Sequence, residues 1–342
     1  MRKYKWTLLI ALTLLSAVIL QGCAGKKTEP VTKQSFYFDT VCAISVYNMD
    51  QMSEENANKA IDDAFALCRH YESLLSRTKE GTDIYRINNA GGESVECDPE
   101  TIEVIRKGLY YSELSEGKFD ITIGKLSDQW DFHSEEPVVP DEKALREAAA
   151  TVDWHGVIIE GNTVTLTNPD THIDLGGIAK GYIADRISEN LRASGVTSGI
   201  ISLGGNIVCI GAKESENGSK PFRIGIEKPY SLQTQIVGAV NAEDETVVTS
   251  GVYQRCFEVN GVQYHHILDA TTGYPAKTDL VGVTLKAADG KSADCDALAT
   301  ILLIMGEDKA LKMAEETEGI EAFFITQDGR YVSTDAMGFE EE

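Results

Sequence analysis

The feature that most constrains the fold of this chain is a long run of apolar and alternating segments between residues 199 and 288. Short stretches rich in Val, Ile and Thr follow one another there, separated by turns that contain glycine. Such a run predicts consecutive antiparallel strands. Helical periodicity appears around it, at residues 56–77, 98–117 and 292–306. We therefore predict an α+β fold in which helices pack against a largely antiparallel sheet core, in two intimately joined subdomains.

The N-terminal segment predicts export rather than a part of the fold. A basic start, MRKYKW, precedes the apolar stretch TLLIALTLLSAVIL, which is too short to be a stable membrane span. The stretch ends in LQGC, which resembles a bacterial lipobox, although an ordinary secretory signal with a chance cysteine is the alternative. We expect residues 1–22 to be a lipoprotein signal peptide, Cys23 to carry lipid, residues 23–34 to be a tether and residues 35–342 to fold. The chain would then be an exported bacterial lipoprotein, anchored on the outer face of the cell membrane.

The acidic charge excludes one class of partner. The formal net charge is −23, and loss of Arg2, Lys3 and Lys5 with the signal peptide changes it to −26. A body with this charge does not attract nucleic acid or anionic lipid by its general field. A polyanionic ligand would have to be held locally by a metal, a few cations or backbone amides.

The cysteines do not form a metal-binding pattern. Six follow Cys23, with no C-x-x-C pair and no histidine at zinc spacing. Export would permit disulfides, but the chain is long enough to build a core without them, so we expect mostly buried free thiols.

The segment HIDLGGIAKGYIADRI, residues 172–187, predicts a glycine-rich turn that leads into a helix. Gly176 and Gly177 allow close approach of a ligand, and free amides at a helix start favour an anion. Lys180 lies in the first helical turn, where the helix dipole disfavours a cation, so it suggests an anionic partner. A tight turn with a solvated lysine is the alternative. A second glycine pair, in ISLGGNIVCIG, fits either a similar role or a β-bulge.

The segment GVQYHHILDATTGYPA, residues 261–276, ends a strand with two histidines. Neighbouring strand residues face opposite sides, so His265 and His266 cannot both face one site and are a poor zinc clamp. One of them could act as a base or as a hydrogen-bonding partner of a ligand.

The segment SADCDALATILLIMG, residues 292–306, predicts a helix with a polar start and an apolar end. Asp296 and Thr300 are four residues apart, which places a carboxylate and a hydroxyl on one helical face. Hard oxygen ligands favour Mg²⁺ or Ca²⁺, and a small protein donor set suits Mg²⁺ that also binds phosphates. The alternative is that Asp296 caps the helix and Thr300 bonds back to a carbonyl.

Together these motifs fit a pyrophosphate bound with Mg²⁺, and they resemble one family. DLGGIAKGYIAD, SLGGN, SGVYQRCFEVNGVQYHHILDATTGYPA and ADCDALAT are similar, in order and spacing, to motifs of the ApbE family of FAD:protein FMN transferases. LLSRTKEGTDIYRINNA and GKFDITIGKL resemble its earlier blocks. The resemblance covers roughly residues 35–335. It implies an ApbE-like fold and a Mg²⁺-dependent transferase that cleaves FAD, releases AMP and attaches FMN to a threonine of a partner flavoprotein through a phosphoester.

The resemblance also implies a set of site residues. The metal would be held by Asp296 and Thr300, with a main-chain oxygen of Gly177 and a further contact from Ala293. His266 would lie near the reacting phosphate as the base, with Asp174 as the alternative base. The implied FAD contacts are Phe38, Thr78, Lys118, Phe119, Asp120, Asp174, Lys180 and Ile267. Phe38 and Thr78 depart from the family, which often has methionine at the first position and an aromatic residue at the second.

The resemblance implies a protein acceptor with an Asp-Gly-x-Thr-small-Ala-Thr segment. The nearest match here, Asp328–Tyr331, has tyrosine in place of the threonine, so the acceptor is expected to be another protein. Two other functions remain open from sequence: a Mg²⁺-dependent FAD pyrophosphatase, and a non-enzymatic flavin-binding lipoprotein. Asp296 and Thr300 argue against the second, because a flavin store needs no metal beside the pyrophosphate.

Overall fold

The computed structural model describes residues 29–132, 134, 136–215, 218–231 and 235–342 of the 342-residue chain. The predicted signal peptide, Cys23 and the first half of the predicted tether, residues 23–28, lie outside these described residues. Within them, no helix has both the length and the apolar character that crossing a membrane requires.

The described residues form helices and strands in mixed order. The helices are α1 (Glu54–Leu75), α2 (Asp83–Asn88), α3 (Pro99–Leu114), α4 (Gly124–Ser127), α5 (Glu142–Ala149), α6 (Ala179–Ala193), α7 (Ser292–Met305) and α8 (Glu307–Glu316), with a 3-10 turn at Trp154–Gly156. The strands are β1 (Val31–Tyr37), β2 (Thr40–Val46), β3 (Val95–Glu96), β4 (Val157–Glu160), β5 (Thr163–Leu166), β6 (Gly199–Leu203), β7 (Asn206–Ile210), β8 (Lys213–Ser215), β9 (Gly218–Lys220), β10 (Phe222–Glu227), β11 (Ile236–Ala242), β12 (Glu245–Gly251), β13 (Cys256–Val259), β14 (Val262–His265), β15 (Leu280–Ala288), β16 (Ile320–Thr326), β17 (Tyr331–Ser333) and β18 (Glu340–Glu341).

The centre of the fold is an eight-stranded sheet in the order β1-β2-β6-β7-β12-β15-β16-β17. Every neighbouring pair in it is antiparallel, which confirms the predicted sheet. Helices α1, α6, α7 and α8 pack against it. The alternation of β2 shows the covered side, because Cys42, Ile44 and Val46 are fully buried whereas Val41 is exposed. The predicted α+β architecture is therefore confirmed.

Local sequence explains where the main helices begin and end. Ser53 accepts a hydrogen bond from Asn56 N at the start of α1. Asp98 caps α3 in the same way and Pro99 occupies its first turn. Gly195 adopts a φ of 88° just after α6, and this left-handed conformation ends the helix.

The alternating residues 35–48 predict a single strand that follows the tether, and the structure differs from this in two respects. Residues 35–48, which alternate like one strand, form a hairpin that turns at Phe38 and Asp39, both with φ near 55° (54° and 56°). No glycine signals this turn, and the carboxylate of Glu72 secures it by accepting the Phe38 N–H at 3.1 Å. Strand β1 also begins at Val31, so residues 31–34 pair with β2 and do not belong to the tether.

The cysteines match the prediction of free thiols. The six cysteines in the described part of the chain are all free, and five of them are buried. Burial raises the pKa of the Cys68, Cys97 and Cys209 thiols to about 12, so these side chains stay protonated and act as apolar packing.

Candidate functional site

The candidate site is centred on the contact between α6 and α7. Lys180 in the first turn of α6 reaches across to Asp296 of α7, with Nζ 3.4 Å from Oδ1 and 3.5 Å from Oδ2. The Gly181 N–H donates to Asp296 Oδ2 at 3.0 Å. Asp296 is only 3% exposed, and Lys180 is partly buried. The solvated-lysine alternative is therefore wrong, because the unfavourable cation at this helix start is balanced by a buried carboxylate.

Asp296 does not cap its helix. Helix α7 begins at Ser292, so Asp296 lies in the second turn, beyond the amides that a cap would satisfy. The Thr300 hydroxyl, one turn further along the same face, has no hydrogen-bond partner among the described residues. Both parts of the capping alternative are therefore wrong. A carboxylate and an unpartnered hydroxyl remain on one helical face.

The glycines of the turn before α6 allow close packing at the site. A Cβ atom on Gly177 would lie 2.7 Å from Cε2 of Phe119, so the phenyl ring lies directly against this residue. A Cβ atom on Gly181 would lie 2.2 Å from the carbonyl oxygen of Ser292. These close contacts join Gly177 to Phe119 and the start of α6 to the start of α7.

The second glycine turn has a different role. Gly204 and Gly205 form the tight turn between β6 and β7, so they are not a β-bulge. A Cβ atom on Gly204 would lie 2.2 Å from Thr40 Oγ1. Packing against the β1–β2 hairpin therefore explains the absence of a side chain at Gly204.

Asp174 is held by two partners. Its Oδ1 accepts the Gly176 N–H at 2.8 Å, and its Oδ2 lies 3.0 Å from Nε of Arg77. Arg77 also pairs with Asp128. Arg77 and the Gly176 amide occupy both carboxylate oxygens of Asp174, which makes Asp174 the weaker candidate for a base. Sequence reasoning missed Arg77, which precedes the predicted contact Thr78.

The two histidines after β13 have distinct surroundings, as predicted. His265 is 8% exposed and lines a cavity, whereas His266 lies edge-on to the Phe132 ring, 6.5 Å between centroids. Burial, reinforced by the positive charge of Arg255, lowers the pKa of His266 to about 3. The positive charge of Lys180 lowers the pKa of His266 further. His266 is therefore neutral at pH 7, and its Nδ1 has no partner among the described residues.

Two of the residues implied as FAD contacts are exposed. Thr78 faces solvent and its Oγ1 lies 3.3 Å from Ser76 Oγ. Lys118 is also exposed, and it has no ion pair within the part of the chain that the structure describes. Both side chains are free to approach a ligand.

The remaining implied contacts are more enclosed. Phe38 is partly buried in the hairpin turn, and Ile267 is buried, with its carbonyl accepting the Ala276 N–H at 2.9 Å. Asp120 is buried as well, and its Oδ1 accepts hydrogen bonds from Thr122 N at 2.8 Å and Thr122 Oγ1 at 2.6 Å. Burial raises the pKa of Asp120 despite these donors. Asp120 therefore stabilises the turn that leads to Thr122.

A cavity of about 1030 Å³ lies next to Lys118, one of the implied FAD contacts. Lys118, His265 and the loop 269–278 line it, and so does Ile304 of α7. Ile304 follows Thr300 by one helical turn, so the helical face that carries the two candidate metal ligands continues to the cavity. The volume suits a large organic ligand.

The candidate metal donors are few and hard. The described residues contain no group of three or more His, Cys, Asp or Glu side chains that could hold a metal ion. The oxygen donors available are Asp296, Thr300 and nearby main-chain carbonyls. Such a set suits Mg²⁺ whose coordination is completed by water or by ligand phosphates.

Sequence reasoning also missed Asp185. This buried carboxylate of α6 accepts the N–H groups of Ser292 and Ala293, at 2.9 and 3.0 Å. The sequence contains a signal for Asp185. This aspartate lies one helical turn after Gly181 and interrupts the otherwise apolar stripe of α6.

Comparison with known proteins points to one group. A sequence profile of the ApbE family matches residues 38–324. An FAD:protein FMN transferase of Treponema pallidum (strain Nichols) is 32% identical over 323 residues, covering 90% of this chain and 88% of the relative. One of Klebsiella pneumoniae (strain 342) is 34% identical over 266 residues, covering 77% and 81%.

Solved structures give the same result. The crystal structure of the ApbE protein of Thermotoga maritima is similar with a TM-score of 0.81 at 29% identity, covering 91% of this chain and 100% of that one. The flavin transferase ApbE of Vibrio cholerae has a TM-score of 0.78 at 27% identity, covering 90% and 98%.

Proposed function

The chain belongs to the ApbE family, and from that premise we infer that it is an FAD:protein FMN transferase. It cleaves FAD and attaches the FMN part to a partner protein, with AMP as the second product. The observation that carries this function in the structure is the contact of Lys180 with Asp296, beside the unpartnered hydroxyl of Thr300. It gives an acidic protein one local place to bind a pyrophosphate.

We propose that the reaction depends on Mg²⁺. The donors fit this ion, because Asp296 is buried, keeps only long contacts to Lys180, and lies one turn from a free hydroxyl. Asp296 and Thr300 would hold the ion, with the carbonyl of Gly177 and a contact from Ala293. When bound, Mg²⁺ would supply neutralisation of the pyrophosphate charge and of the departing phosphate.

The residues of the chain perform the remaining tasks. Lys180 offers a positive charge to the pyrophosphate, and the turn at Gly176 and Gly177 lets the ligand approach the start of α6. The acceptor hydroxyl oxygen bonds to the FMN-side phosphorus while that phosphorus releases the bridging oxygen with AMP. His266 would accept the hydroxyl proton, since its imidazole is neutral and its Nδ1 has no partner in the part of the chain that the structure describes. Asp174 is less suited, because Arg77 and the Gly176 amide occupy it.

The acceptor is proposed to be a threonine of another flavoprotein, joined to FMN through a phosphoester. The segment required would be of the Asp-Gly-x-Thr-small-Ala-Thr type. The nearest segment of this chain has Tyr331 at the threonine position, and its Asp328 is paired with Arg330. Modification of the chain by itself is therefore not expected.

We propose further that the enzyme acts as an exported lipoprotein, anchored through Cys23 on the outer face of the cell membrane. The short apolar stretch that ends in LQGC supports this location. Replacement of the thiol tests it. Cys23→Ser is expected to leave the protein unprocessed or released from membranes, and a variant processed and membrane-bound like the wild type would contradict the proposal.

The activity test is direct. The soluble domain is incubated with FAD, Mg²⁺ and a candidate acceptor protein, and the products are followed by in-gel flavin fluorescence and intact mass. Transfer adds the mass of FMN to the acceptor and releases AMP. FMN and AMP in solution, with an unmodified acceptor, would indicate pyrophosphatase activity instead.

A further inference from the structure

The start of α7 is held by a side chain from another helix. The first amides of a helix lack intrahelical partners, and Lys291 before α7 provides no side-chain cap. Asp185 of α6, 5% exposed, fills this role with both oxygens: Oδ1 accepts the Ser292 N–H at 2.9 Å and Oδ2 accepts the Ala293 N–H at 3.0 Å. Because each oxygen binds a different amide, the carboxylate fixes both the position and the rotation of α7.

Asp185 belongs to a row of contacts along one face of α6. Gly181, one turn earlier, donates its N–H to Asp296 and leaves no room for a Cβ atom against Ser292. Ser188, one turn later, donates its hydroxyl to Asp289 at 2.8 Å. Residues 181, 185 and 188 recur at helical spacing, so the face is continuous. Of these contacts, the one made by Asp185 involves the backbone amides of α7 itself.

We propose that Asp185 is a positioning residue of the metal site. This proposal rests on the function proposed above. Asp185 binds the amide of Ala293, but no hydrogen bond joins it to Asp296, Thr300 or the reacting groups in the part of the chain that the structure describes. By clamping Ser292 and Ala293 it holds α7 so that Asp296, one turn on, and Thr300, two turns on, face Lys180. Supporting residues of this kind orient metal ligands that they do not replace.

The first test compares Asp185→Asn with Ser188→Ala. The asparagine keeps the size but can accept only one of the two N–H groups well, whereas Ser188→Ala removes a contact of the same face that does not involve α7. Mn²⁺, a paramagnetic substitute for Mg²⁺, is titrated into each folded protein and free ion is measured by electron paramagnetic resonance. We expect Mn²⁺ affinity about tenfold weaker in Asp185→Asn and unchanged in Ser188→Ala. High Mg²⁺ should restore most of the transfer rate of Asp185→Asn.

The second test uses the wild-type chain and therefore does not depend on a variant that folds. If the clamp favours metal binding, metal binding must favour the clamp to the same degree. Mg²⁺ should therefore slow hydrogen exchange at the amides of Ser292 and Ala293. Exchange that does not respond to Mg²⁺, or Mn²⁺ affinity equal in Asp185→Asn and wild type, would overturn the proposal. A wild type that binds no Mn²⁺ would instead refute the metal site of the proposed function, and the positioning role with it.

Discussion

At the contact of α6 and α7, here called the buried end of the site, the charged groups are buried or partly buried and already paired, whereas two other implied FAD contacts, Thr78 and Lys118, here called the rim, face solvent. Asp296 is held by Lys180 and by the Gly181 amide. Thr78 and Lys118 at the rim are exposed, and Lys118 has no ion pair in the described residues.

This difference indicates two kinds of recognition. The buried end has its charges placed before a ligand arrives, which lowers the cost of organising a pyrophosphate for reaction. The rim can adjust to the flavin and adenine rings and to an approaching protein. Changes at the buried end should therefore have the larger effects on FMN transfer and on FAD binding, and changes at the rim should have the smaller ones.

The largest effect is expected for Asp296→Asn. The amide oxygen can still accept the Gly181 N–H, so the fold should survive, but the negative charge that would bind Mg²⁺ is lost. We expect FMN transfer to fall about a hundredfold or more and to lose its response to Mg²⁺. Transfer rate is measured against Mg²⁺ concentration, with circular dichroism to confirm folding. A wild-type rate with a wild-type Mg²⁺ response would place the metal elsewhere.

Much of the buried end could be predicted from sequence, because its signals are local. The spacing of Asp296 and Thr300 and the glycines before α6 depend on helical geometry that a single segment contains. The capping of α3 by Asp98 is local in the same sense. Such features follow from propensity and periodicity alone.

The parts that escaped prediction are contacts between distant segments. Asp185 meets Ser292 across more than a hundred residues, and Arg77 meets Asp174 across nearly as many. The turn at Phe38 and Asp39 needs the remote carboxylate of Glu72. Sequence periodicity contains no information about such partners, since any exposed-looking aspartate or arginine gives the same local pattern.

A second prediction distinguishes the buried end of the site from its rim. Lys180→Met removes the cation of the buried end and leaves the length of the side chain nearly unchanged. We expect FAD affinity, measured by fluorescence titration at saturating Mg²⁺, to weaken by about 1–3 kcal/mol, because a charge-assisted hydrogen bond is lost. Lys118→Met at the exposed rim is the matched control and should cost less than about 1 kcal/mol. Equal losses in the two variants would contradict the distinction between the ends.

A third effect concerns pH and stability. Burial and the charge of Arg255 lower the pKa of His266 to about 3, so the folded chain leaves this group neutral while the unfolded chain protonates it near pH 6.5. Protons then favour the unfolded state, and stability falls as the pH decreases from about 6.5 towards 3. His266→Gln should reduce this slope by up to about 1.4 kcal/mol per pH unit.

The measurement for His266 is urea unfolding at pH 7 and at pH 5. His155→Gln is the control, because His155 is exposed on the 3-10 turn and lies outside the buried end. If His266→Gln and wild type lose the same stability between the two pH values, the imidazole is protonated in the folded chain and cannot be the neutral base proposed.

The smallest effect should come from Thr300→Val. Its hydroxyl has no hydrogen-bond partner among the described residues, so the similarly shaped valine should leave the free energy of unfolding unchanged within about 0.5 kcal/mol. Water can replace a neutral metal ligand, so we expect only a several-fold increase in the Mg²⁺ concentration required for half-maximal transfer, on the order of 1 kcal/mol. The variant therefore separates metal binding from folding more cleanly than Asp296→Asn does. Transfer against Mg²⁺ and urea unfolding are measured on the same preparation. A large loss of stability would show that the hydroxyl serves the fold, and an unchanged Mg²⁺ requirement would remove Thr300 from the metal site.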